Sequence, residues 1–225
     1  MSMESVSVLI PEEEVEKKIR EMAEQITKDY AGKELKLICI LKGSVFFTTE
    51  LAKRIGLPVK LDFMSVSSYG DDVTSSGRVR IVKDLDESIR GQNVLVIEDI
   101  IDSGHTLSFL LEMLKSRQPE SIALCTLLDK PSRRVVDVHV DYSGFEIPDE
   151  FVVGYGLDYA EKYRNLPEIG ILKEEIYKYF FRYRNCIYKR PNDLGRFIIA
   201  FRLVIKSRYV RFTLLNERFV AIIDL

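Results

Sequence analysis

Short, almost purely apolar runs alternate along this chain with segments whose apolar residues recur at helical spacing. The apolar runs cover residues 35–41, 94–97 and 121–128, and residues 45–54 and 107–114 between them have the period of helices. Continuous apolar runs of this length are typical of strands that are buried on both faces. The order strand, helix, strand, helix, strand therefore predicts an α/β fold with a mostly parallel sheet flanked by helices.

The segments around this pattern add one helix and further strands. Pro11 and the three glutamates after it begin a helix, and Gly32 ends it. Residues 59–66 alternate like a strand, and residues 79–82 return as another strand. The polar, glycine-bearing stretch 67–78 between them is predicted to be a long mobile loop.

Composition places the chain among ordinary globular proteins. Of its 225 residues, 46% are hydrophobic and 30% are charged, and the net charge of −2 gives no reason to expect nucleic acid as a partner. Cys39 and Cys125 lie in apolar runs, and no cysteine spacing indicates a metal site or a disulfide framework. Because the acidic N-terminus also lacks a signal-peptide pattern, we predict a cytoplasmic protein with no membrane span.

The stretch VLVIEDIIDSGHT, residues 94–106, runs from a strand through a turn into a helix. In an open parallel sheet, ligands bind at the carboxyl ends of the strands. The amides of this turn and of the first helical turn form a nest for an anion. Gly104 lets the chain approach the anion closely, and Ser103 and Thr106 can add hydroxyl donors. The turn therefore suits a phosphate monoester.

The acids in the same stretch suit the group that would be attached to that phosphate. The carboxylates of Glu98 and Asp99 can accept hydrogen bonds from sugar hydroxyls or bind magnesium. A ribose 5-phosphate would satisfy both halves of the stretch. The alternative is a strand that ends in solvated acids before a capped helix, and the residues alone leave this open. A Walker phosphate loop is excluded, because no G-x-x-x-x-G-K-[ST] pattern occurs.

Five stretches, in chain order, resemble the hypoxanthine-guanine phosphoribosyltransferases. They are LKGS (41–44), SSYG (67–70), VLVIEDIIDSGHT (94–106), LLDKPSRR (127–134) and PDEFVVGYGLDYAEKYRNLPEIG (148–170). The resemblance spans about residues 5–178 and implies the type I phosphoribosyltransferase fold, with a small hood from the N-terminus and residues 148–178. The implied reaction joins 5-phosphoribosyl-1-diphosphate to hypoxanthine or guanine, giving IMP or GMP and diphosphate in purine salvage.

The same resemblance assigns residues to the sugar diphosphate. The phosphoribosyl group would be bound by Glu98, Asp99, Asp102, Ser103, Gly104, His105 and Thr106. The diphosphate would lie on Lys42 and Gly43, where the family has a cis peptide before the lysine, and on Arg164. The cofactor Mg²⁺ would be bound by Glu98, Asp99 and Asp158.

For the purine, the resemblance implies an acid, a lysine and an apolar slot. Asp102 would be the general base or acid at N7 of the ring, and Lys130 would donate to the 6-oxo group and so select against adenine. The remaining purine contacts would be Ile100, Phe151 and Val152. Ser68 and Tyr69 would belong to a flexible loop that closes over the site and excludes water.

Residue type alone supports plainer interpretations at several of these positions. Without the resemblance, Lys130 would be a solvated loop lysine, Phe151 a core ring and Arg164 a surface charge. Four further polar residues are given no chemical role by their side chains. We expect the His105 ring to face solvent, His139 to lie on a half-buried strand, and Asp129 and Arg133 to be loop charges.

Residues 182–225 have no counterpart in that family. We therefore predict a phosphoribosyltransferase domain over residues 1–181 and a basic C-terminal extension over residues 182–225. The extension holds 10 Lys and Arg against 3 Asp and Glu, whereas the residues before it hold 23 against 32. An added hairpin, a nucleic-acid contact, an oligomer arm and sequence that does not fold all stay open. We favour a poorly packed or disordered appendage.

The family implies a homodimer or homotetramer whose ligands are 5-phosphoribosyl-1-diphosphate and a purine base. One alternative is a non-catalytic regulator on the same fold that senses the sugar diphosphate and contacts nucleic acid through its basic extension. Asp102, Lys130 and Asp158 argue against it, because a sensor needs no base-handling residues. A second alternative is a phosphoribosyltransferase that prefers xanthine or a pyrimidine.

Overall fold

The computed structural model describes residues 5–68, 79–177, 210–215 and 218–223. The chain divides into two compact units, Met1–Glu174 and Glu175–Leu225. The first unit contains the α-helices α1 (Glu12–Asp29), α2 (Val45–Arg54) and α3 (His105–Ser116) and a short 3-10 helix, Pro131–Arg133. Its strands are β1 (Val6–Ile10), β2 (Leu35–Leu41), β3 (Val59–Ser68), β4 (Val79–Lys83), β5 (Asn93–Ile101), β6 (Ser121–Asp129), β7 (Tyr142–Glu146), β8 (Val152–Val153) and β9 (Ile169–Leu172).

Local sequence explains where α1 begins and which face it buries. The helix starts directly after Pro11, and its first turn carries three glutamates, whose charge interacts favourably with the helix dipole. Its buried residues recur at helical spacing: Val15, Ile19, Met22, Ala23 and Ile26. The helices predicted from periodicity are thus confirmed, and α2 has the predicted bounds.

The central sheet has the strand order β4-β3-β2-β5-β6-β7. All its neighbouring pairs are parallel except β3 and β4, which are antiparallel. The predicted α/β class with a mostly parallel sheet is therefore confirmed. Because β5 is flanked by β2 and β6, the turns that follow these three strands lie at the same edge of the sheet.

Apolar side chains are buried on both faces of this sheet. Leu95 and Ile97 of β5 pack in one cluster with the buried faces of α1 and α2. Val94 and Val96 pack in a second cluster with the buried face of α3. Alternate residues of one strand thus serve opposite cores, which explains why the run 94–97 contains no polar residue.

Two strands extend further than the apolar pattern predicts. β3 continues to Ser68, because Ser67 and Ser68 pair with Arg80 and Val79 of β4. Ser68, expected in the flexible loop, is therefore the last residue of a strand, and Tyr69 lies outside the described residues. β5 continues through both of its acids to Ile101, in parallel register with β6.

A second, smaller sheet of the first unit has the order β1-β9-β8, with both pairs antiparallel. The N-terminal strand thus pairs with strands from the segment 148–178, and these are the two parts of the chain from which the hood is predicted. In the second unit, β10 (Val210–Leu215) and β11 (Arg218–Ile223) pair as an antiparallel hairpin. Of the predicted extension, residues 182–209, 216–217 and 224–225 lie outside the described residues. No helix in the described part of the chain is long and apolar enough to cross a membrane.

Candidate active site

The turn that joins β5 to α3 has satisfied carbonyl groups. Four successive carbonyl oxygens, those of residues 101–104, accept hydrogen bonds from the protein. The donors, in the same order, are the Lys130 amide (3.0 Å), the Arg134 Nε (3.1 Å), the Val135 and Val136 amides (both 3.0 Å) and the Ser108 amide (2.9 Å). Residues 130–136 therefore support this turn through its acceptors.

The amides of the same turn are free. None of the described residues accepts a hydrogen bond from the backbone N–H groups of residues 103–106. The first bond of α3 runs from the Ser108 amide to the Gly104 oxygen, so the preceding amides have no partner within the helix. Gly104 has a φ of +85°, and a Cβ there would lie 2.5 Å from the Val136 carbonyl oxygen. The turn thus needs glycine and offers a group of donors to an anion.

Two adjacent carboxyl groups lie just before this turn. Asp99 is buried and Glu98 is half-buried, and Asp99 Oδ1 accepts a hydrogen bond of 2.8 Å from the Ile100 amide. Burial raises the pKa of both carboxyls, and the neighbouring charge of Asp99 raises the pKa of Glu98 further. Among the described residues, no lysine or arginine forms an ion pair with either acid. The pair is therefore suited to hydroxyl donors or to a cation.

The turn after β2 packs directly against Asp99. The peptide bond between Leu41 and Lys42 is cis, as the resemblance implies. A Cβ on Gly43 would overlap the Asp99 carboxylate, and a Cβ on Gly156 would overlap the Gly43 carbonyl oxygen. The two glycines allow a close approach that brings this turn into contact with the acid pair and with the segment after β8.

Arg164 is fixed beside that segment by three contacts. Its Nη1 donates to the Gly156 carbonyl at 2.8 Å, and its Nη2 lies 2.7 Å from Asp158 Oδ1 and 3.4 Å from Glu161 Oε2. The other oxygen of Glu161 lies 3.1 Å from Lys42 Nζ. The Arg164 Nε is buried and has no hydrogen-bond partner among the described residues. The two cations assigned to diphosphate are thus bridged by a single carboxylate.

The residues assigned to the purine meet at the ends of β5 and β6. Lys130 is only 8% exposed, and its Nζ donates to the Glu150 carbonyl at 2.6 Å. Burial lowers the pKa of this ammonium group. Asp102 Oδ1 lies 2.8 Å from Arg133 Nε, at ion-pair distance but without hydrogen-bond geometry. Arg133 also reaches Asp149 at 3.3 Å, so segment 149–150 contacts both cations.

The aromatic residue assigned to the base directly follows that segment. The Phe151 ring is half-buried and packs edge-on against Tyr159, with centroids 5.6 Å apart. Val152 is buried in β8, and Ile100 is half-buried in β5. The Lys130 amide binds the end of β5, and its ammonium binds the residue before Phe151. The residues assigned to the purine therefore lie next to the turn that follows β5.

Several single-residue interpretations are wrong, and one is confirmed. His105 is exposed, as expected. The His139 side chain is 86% exposed, because its neighbour Val138 packs into the core instead, and the residue lies outside any described strand. Asp129 ends β6 and pairs with Arg134, and both are mostly buried, so Asp129 is not a loop charge. Arg133, also interpreted as a loop charge, pairs with the carboxylate assigned to proton transfer.

A divalent cation fits the Glu98–Asp99 pair better than it fits Asp158. Two adjacent carboxyls with raised pKa values repel each other when charged, and a cation would relieve that repulsion. Asp158 already uses both oxygens, one on Arg164 at 2.7 Å and one on the Glu161 amide at 2.8 Å. In the described part of the chain, no three His, Cys, Asp or Glu residues are grouped to bind a metal. Mg²⁺ commonly takes one or two protein carboxylates and completes its shell with water and substrate phosphates.

A central strand that ends in an acid pair, followed by a turn whose amides have no partner among the described residues, is the arrangement expected of a protein that binds phosphorylated sugars. The family model for the phosphoribosyl transferase domain matches residues 7–160. This chain belongs to the phosphoribosyltransferase family, and the fold and family inferred from the sequence are confirmed.

Similar proteins in that family include hypoxanthine and hypoxanthine-guanine phosphoribosyltransferases. The hypoxanthine-guanine phosphoribosyltransferase of Streptococcus thermophilus is 53% identical over 170 residues, which cover 76% of this chain and 94% of the relative. The bifunctional protein TilS/HprT of Listeria monocytogenes is 56% identical over 170 residues, and the chain spans only 26% of its length. The crystal structure of a hypoxanthine phosphoribosyltransferase from Staphylococcus aureus has a TM-score of 0.75 at 51% identity, covering 77% of this chain and 95% of that one.

Proposed function

We propose that this chain transfers the 5-phosphoribosyl group of 5-phosphoribosyl-1-diphosphate to hypoxanthine or guanine. The products are IMP or GMP and diphosphate, as in purine salvage. The observation that carries the proposal is the turn after β5, where the carbonyls are satisfied and the amides of residues 103–106, which lie beside two carboxylates, have no acceptor in the described part of the chain. Free amides suit the 5-phosphate, and carboxylates suit the hydroxyls of the same sugar. The names of the relatives support the same reaction.

In this proposal, the sugar diphosphate lies between two turns that touch each other. Its 5-phosphate occupies the amides and hydroxyls of residues 102–106, and its ribose hydroxyls lie on Glu98 and Asp99. The diphosphate lies on the Lys42–Gly43 turn and on Arg164, whose buried Nε is a spare donor. The contact between Gly43 and Asp99 supports this arrangement, because C1′ must lie between the hydroxyl site and the diphosphate site.

The transfer step needs a proton acceptor on the purine side. N9 of the base forms a bond to C1′ while the bond from C1′ to diphosphate breaks, and the diphosphate leaves with the bonding electrons. Asp102 accepts the proton from N7 of the base, a role that typically contributes about 10²–10⁴-fold. Arg133, 2.8 Å away, positions this carboxylate.

Selection of the base rests on Lys130. Because this ammonium is almost fully buried, it needs an acceptor, and one of its donors is already used by the Glu150 carbonyl. The 6-oxo group of hypoxanthine or guanine accepts a further hydrogen bond, whereas the amino group of adenine would leave that donor unpaired. Ile100, Phe151 and Val152 form the apolar and backbone contacts to the ring.

The proposal includes Mg²⁺ as the cofactor, held by Glu98 and Asp99. Asp158, the third ligand that the resemblance implies, instead keeps its contacts with Arg164 and the Glu161 amide. The chemistry that Mg²⁺ supplies at such a site is neutralisation of charge on the diphosphate oxygens. We further propose a cytoplasmic location and a homodimer or homotetramer, on the basis of the family. Ser68 and Tyr69 are proposed to border the segment that closes over bound substrates.

The test is an assay of diphosphate release from 5-phosphoribosyl-1-diphosphate and Mg²⁺ with each purine in turn. We expect release with hypoxanthine and guanine and about 5- to 150-fold less with adenine, since an unpaired buried donor costs about 1–3 kcal/mol. Release with xanthine alone would contradict the proposed preference for hypoxanthine or guanine and show a xanthine-preferring enzyme instead. No release with any purine, from protein that binds the sugar diphosphate, would contradict the enzymatic proposal and favour a sensor.

A further inference from the structure

Glu161 bridges the two cations assigned to diphosphate. One of its carboxylate oxygens lies 3.1 Å from Lys42 Nζ, and the other lies 3.4 Å from Arg164 Nη2. Lys42 and Glu161 are 119 residues apart in the chain, so only the tertiary fold brings them together. A terminal phosphate of a bound substrate would present its oxygens to the same two side chains in the same way.

The contact between Glu161 and Lys42 is an exposed ion pair. The Lys42 side chain is 67% exposed and that of Glu161 is 66% exposed, so water and salt screen their attraction. The Lys42 ammonium lowers the pKa of the Glu161 carboxyl, which keeps it charged in this contact. A single exposed carboxylate is a weaker partner for two cations than a diphosphate, which carries several negative charges.

Arg164 keeps its position when Glu161 leaves. Its other contacts, to the Gly156 carbonyl and to Asp158, do not involve Glu161. Displacement of the Glu161 side chain therefore frees Lys42 and one edge of Arg164 without dismantling the guanidinium support. Glu161 itself is anchored through its backbone amide, which donates to Asp158 at 2.8 Å, so its carboxylate stays near the diphosphate after displacement.

We propose that Glu161 is an internal competitor for the diphosphate site: its carboxylate occupies Lys42 and Arg164 before substrate binds and aids departure of the diphosphate afterwards. This inference rests on the proposed diphosphate role of Lys42 and Arg164. It implies that removing the charge of Glu161 strengthens diphosphate binding. A purely structural role for Glu161 predicts the opposite, because loss of a structural contact would loosen the turn and weaken binding.

The test compares Glu161→Gln with the parent in steady-state assays with Mg²⁺ and hypoxanthine. We expect the KM for 5-phosphoribosyl-1-diphosphate and the inhibition constant for diphosphate to fall about two- to fivefold, the range set by exposed ion pairs. The matched control is Glu24→Gln, which removes the same charge from an exposed position on α1 and should leave both constants unchanged. Since the pairs are exposed, the difference should shrink when salt is raised to about 1 M.

Glu161→Ser is a second variant, which guards against a local folding defect in the first, and Glu161→Asp should restore parent-like constants because it keeps the charge. Constants that stay unchanged or rise in folded Glu161→Gln and Glu161→Ser overturn the inference. If the parent itself shows no saturation with 5-phosphoribosyl-1-diphosphate, the proposed function fails instead. The two failures are therefore distinguished by the parent enzyme alone.

Discussion

Replacing Gly104 with alanine tests the turn on which the phosphate site depends. The residue has a φ of +85°, a conformation that costs an L-residue about 1–2 kcal/mol. A Cβ would also lie 2.5 Å from the Val136 carbonyl oxygen, which is backbone and cannot rotate away. The segment must then shift, and the Val135 and Val136 amides that donate to the Ser103 carbonyl shift with it.

The magnitude follows from these separate costs. Two disturbed hydrogen bonds of about 1 kcal/mol each, added to the conformational cost and reduced by about 0.4–1 kcal/mol because alanine restricts the unfolded chain, give a loss of roughly 2–4 kcal/mol in the free energy of unfolding. Gly91→Ala is the matched control, because Gly91 has a φ of +68° and nothing within 4 Å of an added Cβ. The control should lose about 1 kcal/mol, since alanine also restricts the unfolded chain and offsets part of the cost.

Urea denaturation measures both losses, and calorimetric titration with 5-phosphoribosyl-1-diphosphate measures binding. We expect Gly104→Ala to be less stable than Gly91→Ala and, where it remains folded, to bind at least about tenfold more weakly, in line with the loss of one charge-assisted hydrogen bond. If the two variants are equally stable, the close contact between Gly104 and Val136 is refuted. If Gly104→Ala also binds like the parent, the anion site formed by the amides of residues 103–106 is refuted as well.

Three further predictions concern individual side chains. Asp102→Asn should lower turnover at least about tenfold while binding of the sugar diphosphate persists; near-normal turnover would remove Asp102 as the proton acceptor. Lys130→Ala should lose discrimination between hypoxanthine and adenine, measured as the ratio of kcat/KM values, and an unchanged ratio would refute its role. Burial and then the charge of Asp99 raise the pKa of Glu98 in the native protein above its value in the unfolded chain. Between these two pKa values only the native protein keeps the proton, so the free energy of unfolding falls as the pH rises from the lower value to the higher one. Without Mg²⁺, Glu98→Gln should therefore be more stable than the parent at pH 7 by urea denaturation, with a smaller gain near pH 4, whereas Glu24→Gln should show no such gain.

Patterns within the sequence predicted the elements whose causes are local. The run 35–41 is apolar except for Lys36, because both faces of β2 are buried, and the segment 45–54 is bounded as its residues indicate. The turn at residues 102–106 was predictable because glycine and hydroxyl residues between a strand and a helix indicate a turn from neighbouring residues alone. The extension of β3 to Ser68 was not, because it depends on pairing with β4 rather than on apolar pattern.

Contacts between distant charges could not be predicted in this way. Arg133 reaches Asp102 across 31 positions of sequence, and Glu161 reaches Lys42 across 119, so no local spacing indicates either pair. His139 shows the converse error. Its alternation with valines is typical of a strand, but no described strand pairs with it and its ring is exposed. Residue type predicts which groups can interact, and only the fold determines which of them meet.

A crystal structure of this chain with GMP and Mg²⁺ tests the central claim most directly. The account predicts phosphate oxygens at about 3 Å from the backbone nitrogens of residues 103–106, with the ribose hydroxyls on Glu98 and Asp99. A nucleotide whose phosphate binds elsewhere, with those four amides in contact only with water, would contradict it.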